Sequence, residues 1–284
     1  MIESLRHRQG LRLAALLSPA ALWLALFFLV PLLIILAYSF ATRSATGMVL
    51  WSPTIDNYVK LLATPDFLRI FVRSFWYAIL TTAICLLIGY PMALCIVRSP
   101  ITWRTSLLFL VIIPFWTNFV VRTYAWKVLL NNNGVVNNLL RALELPPMAL
   151  INTPTAVMIG LVYGALPFMV LPLYAALERF DFTLMEAASD LGANRLQAFA
   201  RIMLPLTMPG ITAGSVLVFI PTVGSYIVPD ILGGAKVAML GNTLALQFGS
   251  GRNWPFGSAI ALIFMLLLTA GVVLYFRTVP DDAR

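Results

Sequence analysis

Long apolar stretches separated by short polar segments dominate the chain. The six longest stretches without Asp, Glu, Lys or Arg cover residues 13–42, 74–97, 105–121, 145–177, 202–229 and 253–276. Because a helix needs about 20 apolar residues to cross a bilayer, each stretch predicts one membrane span. The third stretch is short, and we expect its span to extend past Arg122, whose side chain either snorkels or faces protein. The predicted spans are then 14–40, 75–97, 105–126, 154–177, 207–229 and 254–276. The pattern predicts an all-α integral membrane protein, with six transmembrane helices in a single domain, residues 1–284.

Proline and glycine recur inside these apolar stretches, for example at Gly89-Tyr90-Pro91 and Leu166-Pro167. Proline removes a helix hydrogen bond, and a bilayer tolerates the freed backbone groups only where protein or a wet cavity satisfies them. Two interpretations stay open at this point: a bundle around a transport pathway, and an ordinary kinked bundle.

Composition agrees with a membrane protein and excludes a water-soluble one. Of 284 residues, 61% are hydrophobic and 11% charged, against about 25% charged in soluble domains. The net charge of +8 does not indicate nucleic acid binding, because the basic residues lie singly and mostly at span ends, where anionic lipid headgroups attract them.

Cys85 and Cys95 would lie about 15 Å apart along one helix, and His7 is the single histidine. No metal site is therefore predicted.

Basic residues before the first span set the predicted orientation. Arg6, Arg8 and Arg12 precede it, and an excess of Lys and Arg marks the cytoplasmic side. The following apolar stretch is longer than the roughly 7 to 15 residues of a signal-peptide core, so we expect a retained anchor. Six spans then place both termini in the cytoplasm, together with the loop between the fourth and fifth spans, residues 178–205.

This cytoplasmic loop has the densest charge cluster in the chain and carries its own helix signals. Thr183 with Glu186 three residues later predicts a capping box, and Gly192 suits the left-handed residue that ends a helix. Asn194 with Gln197 predicts the start of a second short helix. The loop is therefore expected to hold two short helices that meet at a glycine.

The same loop resembles a signature of bacterial ABC importers. Glu186-Ala187-Ala188, three residues, Gly192, nine residues and Ile202-Met203-Leu204-Pro205 match the pattern E-A-A-x3-G-x9-I-x-L-P of their membrane subunits. The resemblance implies that the loop forms coupling helices, which dock in a groove of the ATP-hydrolysing subunit. For Glu186 alone, capping of its own helix is the alternative role. The residues implied to contact the ATPase are Glu186, Ala187, Ala188, Asp190, Gly192, Leu204 and Pro205.

Further segments look like those of the spermidine/putrescine importer permeases, and the resemblance covers roughly residues 20–276. Among them are Ile113-Pro114-Phe115-Trp116-Thr117-Asn118 and Asn253-Trp254-Pro255-Phe256-Gly257. The resemblance implies a type I ABC importer permease fold in the bacterial inner membrane. It also implies four kinds of partner: a second homologous permease, two ATP-binding subunits, a periplasmic solute-binding protein and membrane lipid. The chain contains no G-x-x-x-x-G-K-[ST] phosphate loop, so ATP and Mg are expected on the partner ATPase and no cofactor on this chain.

A polyamine cargo needs carboxylates for its ammonium groups and aromatic faces along its methylene body. Asp230 lies in an apolar setting at an outer span end, with Tyr226 one helical turn earlier. We expect this pair on the substrate pathway, with an interfacial Asp at the start of a loop as the alternative. Trp116 and Tyr163 are two further candidates beside a Pro or a Gly, although aromatic residues also collect at membrane interfaces.

The resemblance implies a non-enzymatic transport subunit of an ATP-driven importer, which moves polyamines by alternating access. The first alternative is the same machine with another small solute, such as an amino acid derivative or an opine. The second is an ion-coupled secondary transporter or channel that works alone, against which the coupling loop argues. No catalytic constellation supports a membrane-embedded enzyme.

Overall fold

The computed structural model describes residues 16–234 and 236–278. Predictions that rest on Arg6, His7, Arg8 or Arg12 lie outside these ranges. Of the described residues, 77% are helical, which confirms the all-α class. The described chain forms two compact units, residues 16–64 with 246–267 and residues 65–245 with 268–278. The assignment of residues 1–284 to one domain stays a prediction.

The smaller unit contains one long helix followed by a short hairpin and a short helix. Helix α1 (Leu16–Ser39) includes a π-helical turn at Ala25–Leu29. It is followed by an antiparallel hairpin, β1 (Thr42–Arg43) with β2 (Val49–Leu50), and by α2 (Asp56–Ala63). The side-chain amide of Asn57 donates to the carbonyl oxygens of Ser39 (2.9 Å) and Ala41 (2.8 Å). These bonds fasten α2 to the end of α1.

The larger unit holds the coupling loop and the candidate pathway residues. Its helices are α3 (Pro65–Arg98), α4 (Ile101–Trp116), α5 (Phe119–Leu129), α6 (Val135–Ala142), α7 (Pro154–Glu178), α8 (Thr183–Asp190), α9 (Arg195–Leu206), α10 (Met208–Val223) and α11 (Ile227–Gly233). Two more helices, α12 (Leu240–Phe248) and α13 (Trp254–Thr278), each begin in one unit and end in the other.

Helices α3, α7 and α10 pack closely on one another and form the core of the larger unit. Glycine makes this packing possible, because a Cβ at Gly210 would lie 2.5 Å from the Cβ of Ala176 and 2.7 Å from the carbonyl oxygen of Pro172. Small residues at such contacts let helix backbones approach in a membrane. The core is consequently built around α7, whose Met169 and Leu173 are fully buried.

Four of the described helices are long and apolar enough to cross a membrane: α1, α3, α7 and α13. Two bent pairs raise the number to six if each pair counts as one span: α4 with α5, bent by 92°, and α9 with α10, bent by 67°. The first bend lies inside the predicted span 105–126, at Thr117 and Asn118. The predicted span 207–229 is also interrupted, because α10 ends at Val223 and α11 starts at Ile227.

Candidate coupling loop and cargo pathway

The first helix of the coupling loop, α8, starts on a cap that differs from the predicted one. The backbone N–H of Thr183 (3.0 Å) and its hydroxyl (2.8 Å) both donate to Oδ1 of Asp181. Thr183 is therefore the first helical residue, and the predicted box with Glu186 does not form. The side-chain bond from Thr183, followed by the backbone bond, lowers the pKa of Asp181 below its ordinary value, because both favour the charged carboxylate.

The end of α8 confirms that Gly192 is the left-handed residue predicted to end this helix. Its φ of +86° is left-handed, a conformation that glycine adopts without a Cβ penalty. The N–H groups of Gly192 and Ala193 donate to the carbonyl oxygens of Ser189 (2.9 Å) and Ala188 (3.0 Å), the bonding pattern of a Schellman motif. A Cβ at Gly192 would meet nothing within 4 Å, so backbone conformation, not space, requires glycine here.

The second helix of the loop, α9, begins with the predicted capping box. The backbone N–H of Gln197 donates to Oδ1 of Asn194 (2.8 Å), and the N–H of Asn194 donates to Oε1 of Gln197 (3.1 Å). The helix then widens into a π-helical segment, Phe199–Met203, before Leu204–Leu206. Single π-helical turns often mark functional positions, and this one lies within the signature spacing.

The outer face of the loop combines acids with exposed leucines. Glu186, Ala187, Asp190, Gly192 and Pro205 are exposed, Leu204 is half-buried and Ala188 is buried. Two leucines that the signature does not include are also exposed, Leu191 at 89% and Leu196 at 75%. Leu191 directly precedes Gly192 and Leu196 follows it by four residues, in a stretch (186–197) whose other residues are small or polar. Two leucines in such a stretch are the signal by which the sequence could have pointed to them. An exposed apolar patch beside acids is typical of a protein-binding surface.

The inner side of the loop is tied to α3 through a buried tyrosine. The hydroxyl of Tyr90 is hydrogen-bonded to that of Thr207 (3.0 Å), and Thr207 donates to the carbonyl oxygen of Met203 (2.8 Å). Thr207 is the residue at which α9 and α10 bend. The ring of Phe199 stacks edge-on against Tyr90, with 5.5 Å between ring centres. Sequence reasoning assigned no role to Tyr90 or Thr207.

Asp230 and Tyr226 lie together at the start of α11. The backbone N–H of Asp230 donates to the carbonyl oxygen of Tyr226 (3.1 Å), and Tyr226 is 45% exposed. Asp230 is exposed and has no Lys or Arg nitrogen within 4.0 Å in the part of the chain that the structure describes. Asp230 therefore has no ion-pair partner among the described residues.

The two aromatic candidates lie in different surroundings. Trp116 is 75% exposed at the end of α4, where it contacts Phe109 of the same helix, with 6.4 Å between ring centres. Tyr163 is half-buried on α7 and meets Trp126 of α5 edge-on at 5.2 Å. The structure therefore brings Tyr163 to the bend between α4 and α5.

Arg122 faces protein at this bend. Its guanidinium carbon lies 4.9 Å from the ring centre of Phe115, 5.4 Å from that of Phe119 and 5.5 Å from that of Tyr163. One guanidinium nitrogen donates to the carbonyl oxygen of Pro114 (2.8 Å). We call these three rings and this carbonyl the Arg122 cage.

A cavity of about 110 Å³ adjoins the cage. Phe119 of α5 lines it together with Gly164 and Phe168 of α7, and Phe168 in turn contacts Phe115 at 4.8 Å. Thr222 and Ser225 contribute the polar part of its wall from the end of α10 and the segment before α11. Helix α11, which carries Asp230, packs against both α5 and α7.

Comparison with known proteins assigns the family. Residues 85–280 match the model of the binding-protein-dependent transport system inner membrane component. The chain belongs to this family. The predicted resemblance to ABC importer permeases is thereby confirmed, and the chain is an inner membrane component.

Curated relatives match this inner membrane component over nearly its whole length. It is 46% identical over 257 residues to the spermidine/putrescine transport system permease protein PotB of Haemophilus influenzae, covering 90% of each chain. It is 44% identical to PotB of Escherichia coli K12, covering 90% of this chain and 93% of that one. Its fold matches that of a bacterial ABC transporter involved in the import of the acidic polysaccharide alginate, with a TM-score of 0.71 at 19% identity, covering 99% of this chain and 100% of the other. The type I importer permease fold is therefore confirmed.

Proposed function

We propose that this chain is the permease subunit of an ATP-driven importer that carries polyamines into the cytoplasm. The observation that carries the proposal is the 46% identity to a spermidine/putrescine permease over 90% of both chains. The complete assembly would contain a second homologous permease, two ATP-binding subunits with ATP and Mg, and a periplasmic binding protein. Both termini and the coupling loop would lie in the cytoplasm.

The exposed face of the coupling loop supports docking to an ATPase. Leu191 and Leu196 offer apolar area, while Glu186 and Asp190 offer negative charge on the same short segment. The Schellman motif at Gly192 and the capping box at Asn194 fix the angle between the two helices, so the docking face is preorganised.

The coupling loop is continuous with the transmembrane core, which supports a role in energy transfer. Its inner side is bonded to α3 through Tyr90 and Thr207, and α3 packs against α7 and α10. A shift of the docked loop would therefore act on the bundle through a buried contact. ATP and the loaded binding protein shift the equilibrium between inward-open and outward-open states only as far as they prefer one of them.

The candidate pathway offers the chemistry that an alkylammonium cargo needs. Asp230 supplies a carboxylate that no Lys or Arg of the described residues pairs with, and Tyr226 and Tyr163 supply aromatic faces. Ammonium groups bind to such pairs of carboxylate and aromatic ring.

ATP hydrolysis by the reconstituted complex tests this function. The complex, with its binding protein, is titrated in turn with spermidine, putrescine and a panel of neutral amino acids. We expect polyamines alone to stimulate hydrolysis above the basal rate. Stimulation by another solute alone would refute the polyamine cargo and leave the assignment as an ATP-driven importer intact. Transport without any ATPase subunit would refute that assignment.

A further inference from the structure

The Arg122 cage stabilises a half-buried positive charge without an acid from the described residues. The guanidinium has three rings within 5.5 Å, and no Asp or Glu oxygen lies within 4.0 Å among residues 16–234 and 236–278. Ring faces and one carbonyl oxygen are therefore its partners. These groups attract any compact cation, because the quadrupole of each ring and the carbonyl dipole do not discriminate between guanidinium and ammonium.

The guanidinium can leave the cage without leaving a buried polar group unsatisfied. The carbonyl oxygen of Pro114 accepts a second bond, from the hydroxyl of Thr117 at 2.7 Å. Arg122 is attached to the cage by one hydrogen bond and by ring contacts, on a long side chain with many rotamers. Its displacement by another cation would exchange one set of cation–π contacts for another.

The cage adjoins a cavity that is largely apolar and could take a methylene chain. Phe119 is shared between the cage and the 110 Å³ cavity that is lined by α5, α7, α10 and α11. That volume exceeds the roughly 30 Å³ share of one water molecule several times, so it can accommodate a short methylene chain. An alkylammonium would lay its chain in the cavity and direct its charged end at the rings.

We propose that the Arg122 cage is a cation subsite of the cargo pathway, in which an alkylammonium group of the cargo replaces the guanidinium of Arg122. This inference rests on the proposed polyamine function. Arg122 acts as an internal competitor: it fills the site when no cargo is present and lowers the affinity of the site for cargo.

Binding of radiolabelled spermidine to the purified complex in lipid nanodiscs, without the binding protein, tests the proposal. Arg122→Gln empties the cage of its cation, and we expect spermidine to bind at least about fivefold more tightly, equivalent to about 1 kcal/mol. Arg122→Lys keeps a cation in the cage and should stay within about twofold of wild type. Adding Phe119→Leu to Arg122→Gln removes a ring and should reverse most of the gain.

A matched variant on the same helix controls for the loss of charge. Lys127 of α5 lies 5.7 Å from the ring centre of Tyr124 and five residues after Arg122, and Lys127→Gln should leave affinity within about twofold of wild type. If Arg122 only fastens the bend between α4 and α5, Arg122→Gln will lower the thermal stability and leave affinity unchanged or weaker, which overturns the proposal. An equal gain from Lys127→Gln also overturns it.

The same samples separate this inference from the proposed function. If polyamines do not stimulate ATP hydrolysis by the wild-type complex with its binding protein, the proposed function and the subsite both fail. If they do stimulate it and Arg122→Gln gains no affinity, the subsite alone fails.

Discussion

The bond between Tyr90 and Thr207 gives a sharp test of how the coupling loop is held. Tyr90 is buried and Thr207 is fully buried, and their hydroxyl oxygens lie 3.0 Å apart. The two isosteric changes that break this bond are not equivalent. Tyr90→Phe leaves the Thr207 hydroxyl bonded to the carbonyl of Met203 (2.8 Å), whereas Thr207→Val leaves the Tyr90 hydroxyl buried without this partner.

The magnitudes follow from this asymmetry. Tyr90→Phe loses one net hydrogen bond, which averages about 0.6 kcal/mol between membrane helices. Thr207→Val adds the desolvation cost of an unsatisfied hydroxyl and should lower the free energy of unfolding by about 1–3 kcal/mol. The double variant should cost less than the sum of the two, because once Thr207 is changed the Tyr90 hydroxyl has no partner left to lose.

Two assays measure the effect. Denaturant unfolding of the purified complex gives the free energies, and ATP hydrolysis with and without loaded binding protein gives the coupling. Thr207→Ser keeps the hydroxyl and serves as the control. We expect both isosteric variants to reduce the stimulation of hydrolysis more than the basal rate. A larger stability loss from Tyr90→Phe than from Thr207→Val, or strictly additive losses, would refute the reasoning.

Three further predictions concern the loop and the pathway. Gly192→Ala places a Cβ at φ +86°, so it should cost about 1–2 kcal/mol and reduce the amount of ATPase that copurifies, with Ser189→Ala as a nearby control. Asp230→Asn should reduce the stimulation of hydrolysis by spermidine about tenfold or more, with basal hydrolysis unchanged. An unaltered response would show that Asp230 is an interfacial residue without a role in the substrate pathway. Because the pKa of Asp181 is lowered in the fold, its cap stabilises α8 above the ordinary Asp pKa and is lost as pH falls below it. Thermal stability should therefore drop on acidification from pH of about 5 to about 3 in wild type, and by less in Asp181→Asn.

Local signals were enough to predict the end of α8 and the start of α9. Gly192 and the pair Asn194 with Gln197 act within one turn of chain, so their roles follow from residue type and spacing. The cap of α8 was predicted wrongly because two acceptors compete for the same end of the helix. Asp181 lies two residues before Thr183 and accepts both of its donors, so the Thr183 hydroxyl is used as a donor.

The Arg122 cage shows where prediction from a single sequence stops. The cage combines Phe115 and Phe119 with Tyr163, which lies more than 40 residues away along the chain. Only the packing of α7 against the bend between α4 and α5 brings these rings together, and no periodicity within one stretch encodes it. The apolar pattern predicted one span over 105–126 and did not predict the 92° bend within it. The side chain of Asn118 caps α5 by accepting from the N–H groups of Val120 and Val121, and this local signal lies inside an apolar stretch.

Uptake of radiolabelled spermidine into proteoliposomes is the most direct test of the central claim. The vesicles carry the whole complex, with binding protein outside and ATP with Mg inside. The account predicts accumulation that requires internal ATP and binding protein and that persists when ion gradients are dissipated. Accumulation that needs an ion gradient but no ATP, or no accumulation of polyamine beside transport of another solute, would contradict it.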